Sequence, residues 1–196
     1  MYNVHGSSTG QKIVFMEELQ QKVFQTVKPV PFRGIDAFFD ISPLLKDSIL
    51  FKRVIQTLVE QTRKLQPTII CALDARGFLF GAPVALELEL PLVMIRKHGK
   101  LPGTYTKVEF NKEYESGDVF EIQSDALCKS DRAVVIDDVL ATGGSMRAAF
   151  ELIRSLGISE ITGVCLMDLN LPGSREFLSL TNMSIWSLLD VTMWKS

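Results

Sequence analysis

Cysteine is scarce in this chain: Cys71, Cys128 and Cys165 are widely spaced and odd in number. That pattern excludes an ordinary disulfide framework and a zinc knuckle. Cys71 and Cys165 fall inside apolar strand-like runs, where a thiol packs as a small hydrophobe. A reducing cytosol is the expected home. A basic excess is also missing, with 21 Lys and Arg against 23 Asp and Glu. The balance supplies neither the electrostatic footprint of a nucleic-acid binder nor a lever on an anionic membrane surface, so neither partner is expected. Long hydrophobic runs are lacking too, because glutamates interrupt the longest apolar region, 78–95, and a spanning helix needs about 20 apolar residues. The first eleven residues are polar and without an apolar h-region, so no signal peptide is expected. The C-terminal Met193-Trp194-Lys195-Ser196 lacks the peroxisomal tripeptide.

What is present fits one globular α/β domain over 1–196: 46% of the residues are hydrophobic and 22% charged. Residues 1–10 are expected to be disordered, and Gly6 to Lys12 do not have the spacing or the preceding strand of a Walker A loop. A helix is expected at 13–27, with Phe15, Leu19, Val23 and Val27 on one face and Pro29 and Pro31 ending it. Residues 32–45 read as an aromatic-rich loop. A second helix opens near Asp47 or Ser48 and presents Phe51, Ile55, Leu58 and Leu65. A strand at 68–73, a helix at 78–89 and a strand at 91–96 follow. Two extended pieces, 106–110 and 118–123, suggest a hairpin, with Val119 and Glu121 facing outward and Phe120 and Ile122 inward. Strands at 133–136 and 161–167 and an apolar segment at 185–192 complete a mainly parallel sheet interrupted by one flexible arm.

The chemistry concentrates in residues 133–146, AVVIDDVLATGGSM. An apolar run, the signature of a buried parallel strand, ends in Asp137 and Asp138. The turn Ala141-Thr142-Gly143-Gly144-Ser145 opens into a helical pattern of Met146, Ala149, Phe150, Ile153 and Leu156, closed by Gly157. Strand, glycine turn and helix N-terminus make a phosphate cradle of free backbone N–H groups. Thr142 and Ser145 add hydroxyl donors. Carboxylates beside a phosphate would repel it unless something lies between. A ribose meets that need, because its hydroxyls donate to the acids while its 5′-phosphate occupies the turn; magnesium could add a positive bridge.

Asp74-Ala75-Arg76-Gly77 lies at the carboxyl end of another strand, where ligands of open α/β sheets bind. Arg96, Lys97 and Lys100 gather at the end of a third. Beside a phosphate turn, such cations suit a multiply charged leaving group.

Residues 133–146 resemble the phosphoribosyl-pyrophosphate motif of the type I phosphoribosyltransferases. With DARGFLFG (74–81), IRKHGKLPG (95–103), KEY (112–114), FEIQ (120–123) and DDVLATGGS (137–145), the chain is similar to the adenine phosphoribosyltransferases over roughly 29–170. The resemblance implies a parallel sheet flanked by helices, with a flexible lid arm and a small hood near the N-terminus. It implies conversion of adenine and phosphoribosyl pyrophosphate to AMP and pyrophosphate, a step of purine salvage, with Mg²⁺ carried by the substrate rather than held by protein ligands, and a homodimer. By motif position, Asp137 and Asp138 meet the ribose, Ala141, Thr142, Gly143, Gly144 and Ser145 the 5′-phosphate, and Arg76, Lys97 and Lys100 the pyrophosphate. Glu113 and Tyr114 fall at the lid Glu-Tyr pair, with Glu113 the candidate for proton handling. Ala37, Phe38, Phe39 and Val139 would form the base site.

The segment Gly34 to Pro43 departs from the family pattern by one extra residue after the glycine, and Phe39 stands where a basic side chain is common. Base contacts there are expected from the backbone at Ala37 and Phe39 and from stacking by Phe38. Two other readings stay open: transfer to a different nucleobase, or a non-catalytic sensor of phosphoribosyl pyrophosphate on the same fold. The first thirty residues hold no basic recognition-helix pattern of the kind such a regulator would add.

Overall fold

The computed structural model describes residues 8–32, 35–112, 115–171, 174 and 183–194. They fall in two compact units, Met1–Val54 with Met193–Ser196, and Ile55–Thr192.

In the first unit, helix α1 (Ser8–Thr26) is followed by strands β1 (Pro29–Phe32) and β2 (Ile35–Phe39), the short helix α2 (Ser42–Lys46) and the start of α3 (Ser48–Lys64). Leu19, Val23 and Val27 are fully buried and share this unit's core with Phe39, Ile41, Leu44 and Leu50. Two expectations change here. Residues 8–10 open α1 instead of being disordered, and the stretch read as a loop at 32–45 contains β2, paired antiparallel to β1, and α2. Phe15, placed by periodicity on the buried face, is half exposed and lies 4.6 Å beneath the Arg53 guanidinium, a cation–π contact. The turn into α3 follows the expected chemistry, since the Leu50 N–H donates to Asp47 Oδ1 at 2.9 Å. The apolar face of α3 centres on Leu50, Val54, Leu58 and Thr62, with Phe51 and Leu65 only half-buried at its margins.

The second unit is a seven-stranded mixed sheet of order β5-β6-β4-β3-β7-β8-β9. Strands β3 (Ile69–Leu73), β4 (Leu92–Lys97), β7 (Arg132–Leu140), β8 (Glu160–Asp168) and β9 (Ser184–Asp190) run parallel. Strands β5 (Tyr105–Lys112) and β6 (Glu115–Gln123) form the antiparallel hairpin expected from the extended pieces, each strand reaching further than the sequence pattern suggested. Helices α4 (Gly77–Leu88) and α5 (Gly144–Ser155) flank the sheet. Every residue of β3 is buried, as its unbroken apolar run requires. Helix α5 buries Met146, Ala149, Phe150 and Ile153, the predicted stripe. Full burial of such a side chain contributes about 1.5–3 kcal/mol, so this stripe fixes α5 firmly on the sheet. Cys71 and Cys165 are fully buried, as core packing predicts, and burial pushes the Cys71 thiol up to about 12.

Candidate functional site

Strand register assembles the site. β3 pairs with β7 from Ile69↔Ala133 to Ala72↔Ile136, and with β4 from Ile70↔Leu92 to Leu73↔Ile95. Continued past the end of β3, the same register sets Asp74 level with Asp138 on one side and with Arg96 on the other. Residues distant in the sequence thus end in one row along the carboxyl edge.

At the end of β7, the Asp138 side chain is almost fully buried and the Asp138 N–H donates to Asp137 Oδ1 at 2.9 Å. Arg76, the residue before α4, brings Nε to 3.0 Å from Asp138 Oδ2. Burial, and then the charge of Asp138, holds the Asp137 carboxyl well above the usual carboxylate range. Burial also raises Asp138, with the Arg76 charge opposing it. Asp138 Oδ2 is buried and, the Arg76 ion pair apart, accepts no aligned hydrogen bond from the described residues. It is an acceptor suited to a donor from outside the protein. The start of α4 comes this close to β7 because residue 77 is glycine: a Cβ there would lie 2.6 Å from the Ile136 carbonyl oxygen and 3.2 Å from Asp137 Oδ1.

After β7, Val139 is half-buried, Thr142 is exposed, and Ala141, Gly144 and Ser145 are half-buried. Gly143, at φ +87°, turns the chain into α5 through the left-handed region that glycine adopts without penalty. A glycine N-cap has no side-chain acceptor to offer, so the first amides of α5 are left for an anion. Gly144 plays a different part, with a position where an added Cβ would meet only Thr142 Oγ1, at 3.8 Å.

At the ends of β3 and β4 lies a second acid. Asp74 Oδ2 accepts from Lys100 Nζ at 3.0 Å and stands 3.5 Å from Arg96 Nε. Burial works against its charge, but the Lys100 bond, the Lys97 backbone N–H and the Arg96 charge outweigh it, leaving the Asp74 carboxyl below its ordinary value. Arg96 Nη1 also donates to the Lys100 carbonyl at 3.2 Å. The Lys100 side chain and the Lys97 backbone are therefore organised around Asp74, a residue within the 74–77 motif that the sequence left without a role.

Glu121 corrects the sequence reading. Alternation along 118–123 assigned it outward, yet it is fully buried. β6 lies between β5 and β4, and Glu121 receives the Gly99 N–H on Oε2 at 3.1 Å and pairs through Oε1 with His98 Nδ1. The signal that could have found it is the basic, glycine-containing turn at 96–100, which needs an acid partner.

Of the proposed base residues in the first unit, Ala37 is exposed and Phe38 is half-buried, its ring 5.1 Å from that of Phe32 and tilted by 44°. The Phe39 side chain belongs to that unit's core at 7% exposure, which leaves its backbone for recognition. Glu113 and Tyr114 lie outside the described residues.

A family model of the phosphoribosyl transferase domain matches residues 44–177. The adenine phosphoribosyltransferase of Mycoplasma mobile is 41% identical over 165 residues, covering 84% of this chain and 94% of its own length. Among solved structures, the Saccharomyces cerevisiae adenine phosphoribosyltransferase, complexed with adenine and an imino-altritol bisphosphate, is 34% identical with a TM-score of 0.76, covering 88% of this chain and 99% of its own. The Trypanosoma brucei enzyme, in complex with AMP, pyrophosphate and ribose-5-phosphate, is 28% identical with a TM-score of 0.80, covering 89% and 80%. Likeness of this extent, over most of both chains in each comparison, places the protein in the phosphoribosyl transferase family, among its adenine phosphoribosyltransferases.

Proposed function

We infer that this protein transfers the phosphoribosyl group of phosphoribosyl pyrophosphate to adenine, giving AMP and pyrophosphate. The observation that carries this is the row of strand ends in which an acid pair, with Asp138 buried, stands level with a cluster of cations and leads into a glycine turn. Transfer passes through a sugar with oxocarbenium character as pyrophosphate departs. Asp137 and Asp138 accept from the ribose hydroxyls and fix the sugar, while the 141–145 turn holds its 5′-phosphate. Arg76, Lys97 and Lys100 face the charge that grows on the leaving group. Glu113 handles the adenine proton as the ring nitrogen attacks, and Tyr114 belongs to the arm that closes over the site and excludes water.

Magnesium fits this arrangement as a passenger of the substrate. Among the described residues no group of three or more His, Cys, Asp or Glu could hold a metal alone. Mg²⁺ ordinarily takes one or two carboxylates together with substrate phosphates. With Asp137 and Asp138 turned to the ribose hydroxyls, the ion would ride on the substrate's phosphates and would supply charge neutralisation on the diphosphate.

By the family resemblance, base recognition is assigned to the backbone at Ala37 and Phe39 and to the ring of Phe38. Adenine presents a 6-amino donor and an N1 acceptor, whereas 6-oxopurines reverse both, and sites built on such pairs discriminate by about 10⁴-fold. A homodimer is part of the same reading. Leu79 and Leu86, seven apart on α4, and Leu92 and Met94, two apart on β4, expose apolar side chains suited to a partner surface. Three free cysteines support a reducing, cytoplasmic setting, and no helix among the described residues is long and apolar enough to cross a membrane.

The test is a panel of nucleobases incubated with phosphoribosyl pyrophosphate and Mg²⁺, with products separated by chromatography. AMP from adenine is expected, with little product from hypoxanthine or guanine. Comparable efficiency with hypoxanthine would overturn the adenine assignment and leave phosphoribosyl transfer standing. Glu113→Gln should slow single-turnover transfer by about 10²-fold with ligand affinity nearly unchanged, and a variant as fast as the parent would remove Glu113 from the chemistry.

A further inference from the structure

Glu121 is a fully buried carboxylate whose hydrogen bonds among the described residues go to His98 and Gly99. A charge in such a place is unfavourable unless its oxygens are satisfied, and both of them are used on one short turn. Oε2 accepts the Gly99 N–H at 3.1 Å and Oε1 pairs with His98 Nδ1, while the His98 N–H donates to the Val119 carbonyl at 2.9 Å. Gly99 sits at φ +76°, so the peptide that Glu121 grips is the one at which the chain reverses out of β4. The next residue is Lys100, whose ammonium reaches Asp74 at 3.0 Å and whose carbonyl accepts from Arg96 at 3.2 Å. An apolar residue at 121 could fill the same space but could not orient the Gly99 amide.

We propose that Glu121 is a positioning residue for pyrophosphate: through Gly99 and His98 it fixes the 97–100 turn so that Lys100 is presented at the end of β3. This rests on the assignment of Lys97 and Lys100 to the leaving group. When the acid becomes an amide, one acceptor oxygen is replaced by a donor and the remaining bond loses its charge assistance, and the cost appears where the turn meets its anion.

The experiment is calorimetry of inorganic pyrophosphate with excess Mg²⁺, and of AMP, against the parent protein, Glu121→Gln, Lys100→Ala and the double variant. Glu121→Gln is expected to weaken pyrophosphate about tenfold and leave AMP unchanged, and to raise KM for phosphoribosyl pyrophosphate while sparing that for adenine. The double variant should bind pyrophosphate no more weakly than Lys100→Ala alone, because one residue acts through the other. Undiminished pyrophosphate affinity in Glu121→Gln, equal losses for both ligands, or additive losses would each overturn the proposal. A parent protein that binds neither ligand would instead overturn the functional reading beneath it. If Glu121→Gln does not fold, His98→Ala removes a ring that is 59% exposed and should show the same pyrophosphate-selective loss; an unchanged affinity there refutes the proposal equally.

Discussion

The ends of β7 and β3 carry the same side chain in opposite electrostatic states. Asp137 and Asp138 are packed against one another with Arg76 as their cation, and both titrate above the usual range. Asp74, level with them in the sheet, is ringed by Lys100, Arg96 and the Lys97 amide and titrates below it. The first pair is held ready for an incoming partner at a cost to the folded protein, whereas the second acid is already satisfied and organises the cations beside it. Residue type does not separate these roles; the balance of burial and neighbouring charge does.

The sharpest way to break this comparison is to neutralise the pair. Asp137→Asn with Asp138→Asn should abolish transfer, since each charge-assisted contact to ribose contributes about 1.5–3 kcal/mol, yet raise the melting temperature of the ligand-free protein at neutral pH. The sign follows from linkage: a carboxyl raised in the folded state destabilises it as pH rises through the folded value, and the penalty vanishes below the unfolded value. The advantage of the double variant should therefore shrink on acidification. Thermal unfolding across pH with parallel activity assays checks both parts, and a destabilised variant at neutral pH would contradict the comparison.

Gly143→Val tests the phosphate side of the same strand. A β-branched residue at φ +87° is strained by about 1–3 kcal/mol, and it should distort the turn enough to lose AMP in calorimetry. Gly144→Ala, where the nearest atom lies at 3.8 Å, should keep more of that affinity. Equal effects at the two glycines would remove the distinction drawn between them.

Lys100→Ala probes the opposite strand end. It should weaken pyrophosphate by about tenfold with little change in AMP, and equal losses would make Lys100 merely structural. Asp74→Asn should show the smallest effect and the opposite sign to the acid pair, a destabilisation of about 1 kcal/mol, modest because Lys100 is half exposed. Asp74 is lowered in the folded state, so its contribution persists above the unfolded carboxylate range and is lost as pH falls through the folded value. Denaturant titrations at neutral and acidic pH would reveal the crossover.

What the sequence disclosed depended on range. The β7 strand, its acids, Gly143 and the α5 stripe are local, with strand, turn and helix period contiguous over 132–157. Arg76 and the cations at and just past the end of β4 were legible as charges at strand ends. Their organiser Asp74 was not, because it acquires its partners through the register of β3 against β4. Glu121 was misplaced for a related reason: alternation assigns faces, but an interior strand beneath a folded-back turn has none in water. The short β2 and α2 escaped notice because elements of five residues carry too little period to read.

Gly77 gives the site a fixed point in its history. With the Ile136 carbonyl 2.6 Å from where any Cβ would stand, no other amino acid fits without prying α4 from the end of β7. Mutational drift can alter residues elsewhere while the spacing between the Asp137–Asp138 pair and Arg76 is inherited intact. Descendants of this chain with a new nucleobase are thus expected to keep position 77 as glycine, and a library randomised there should return glycine alone among active clones.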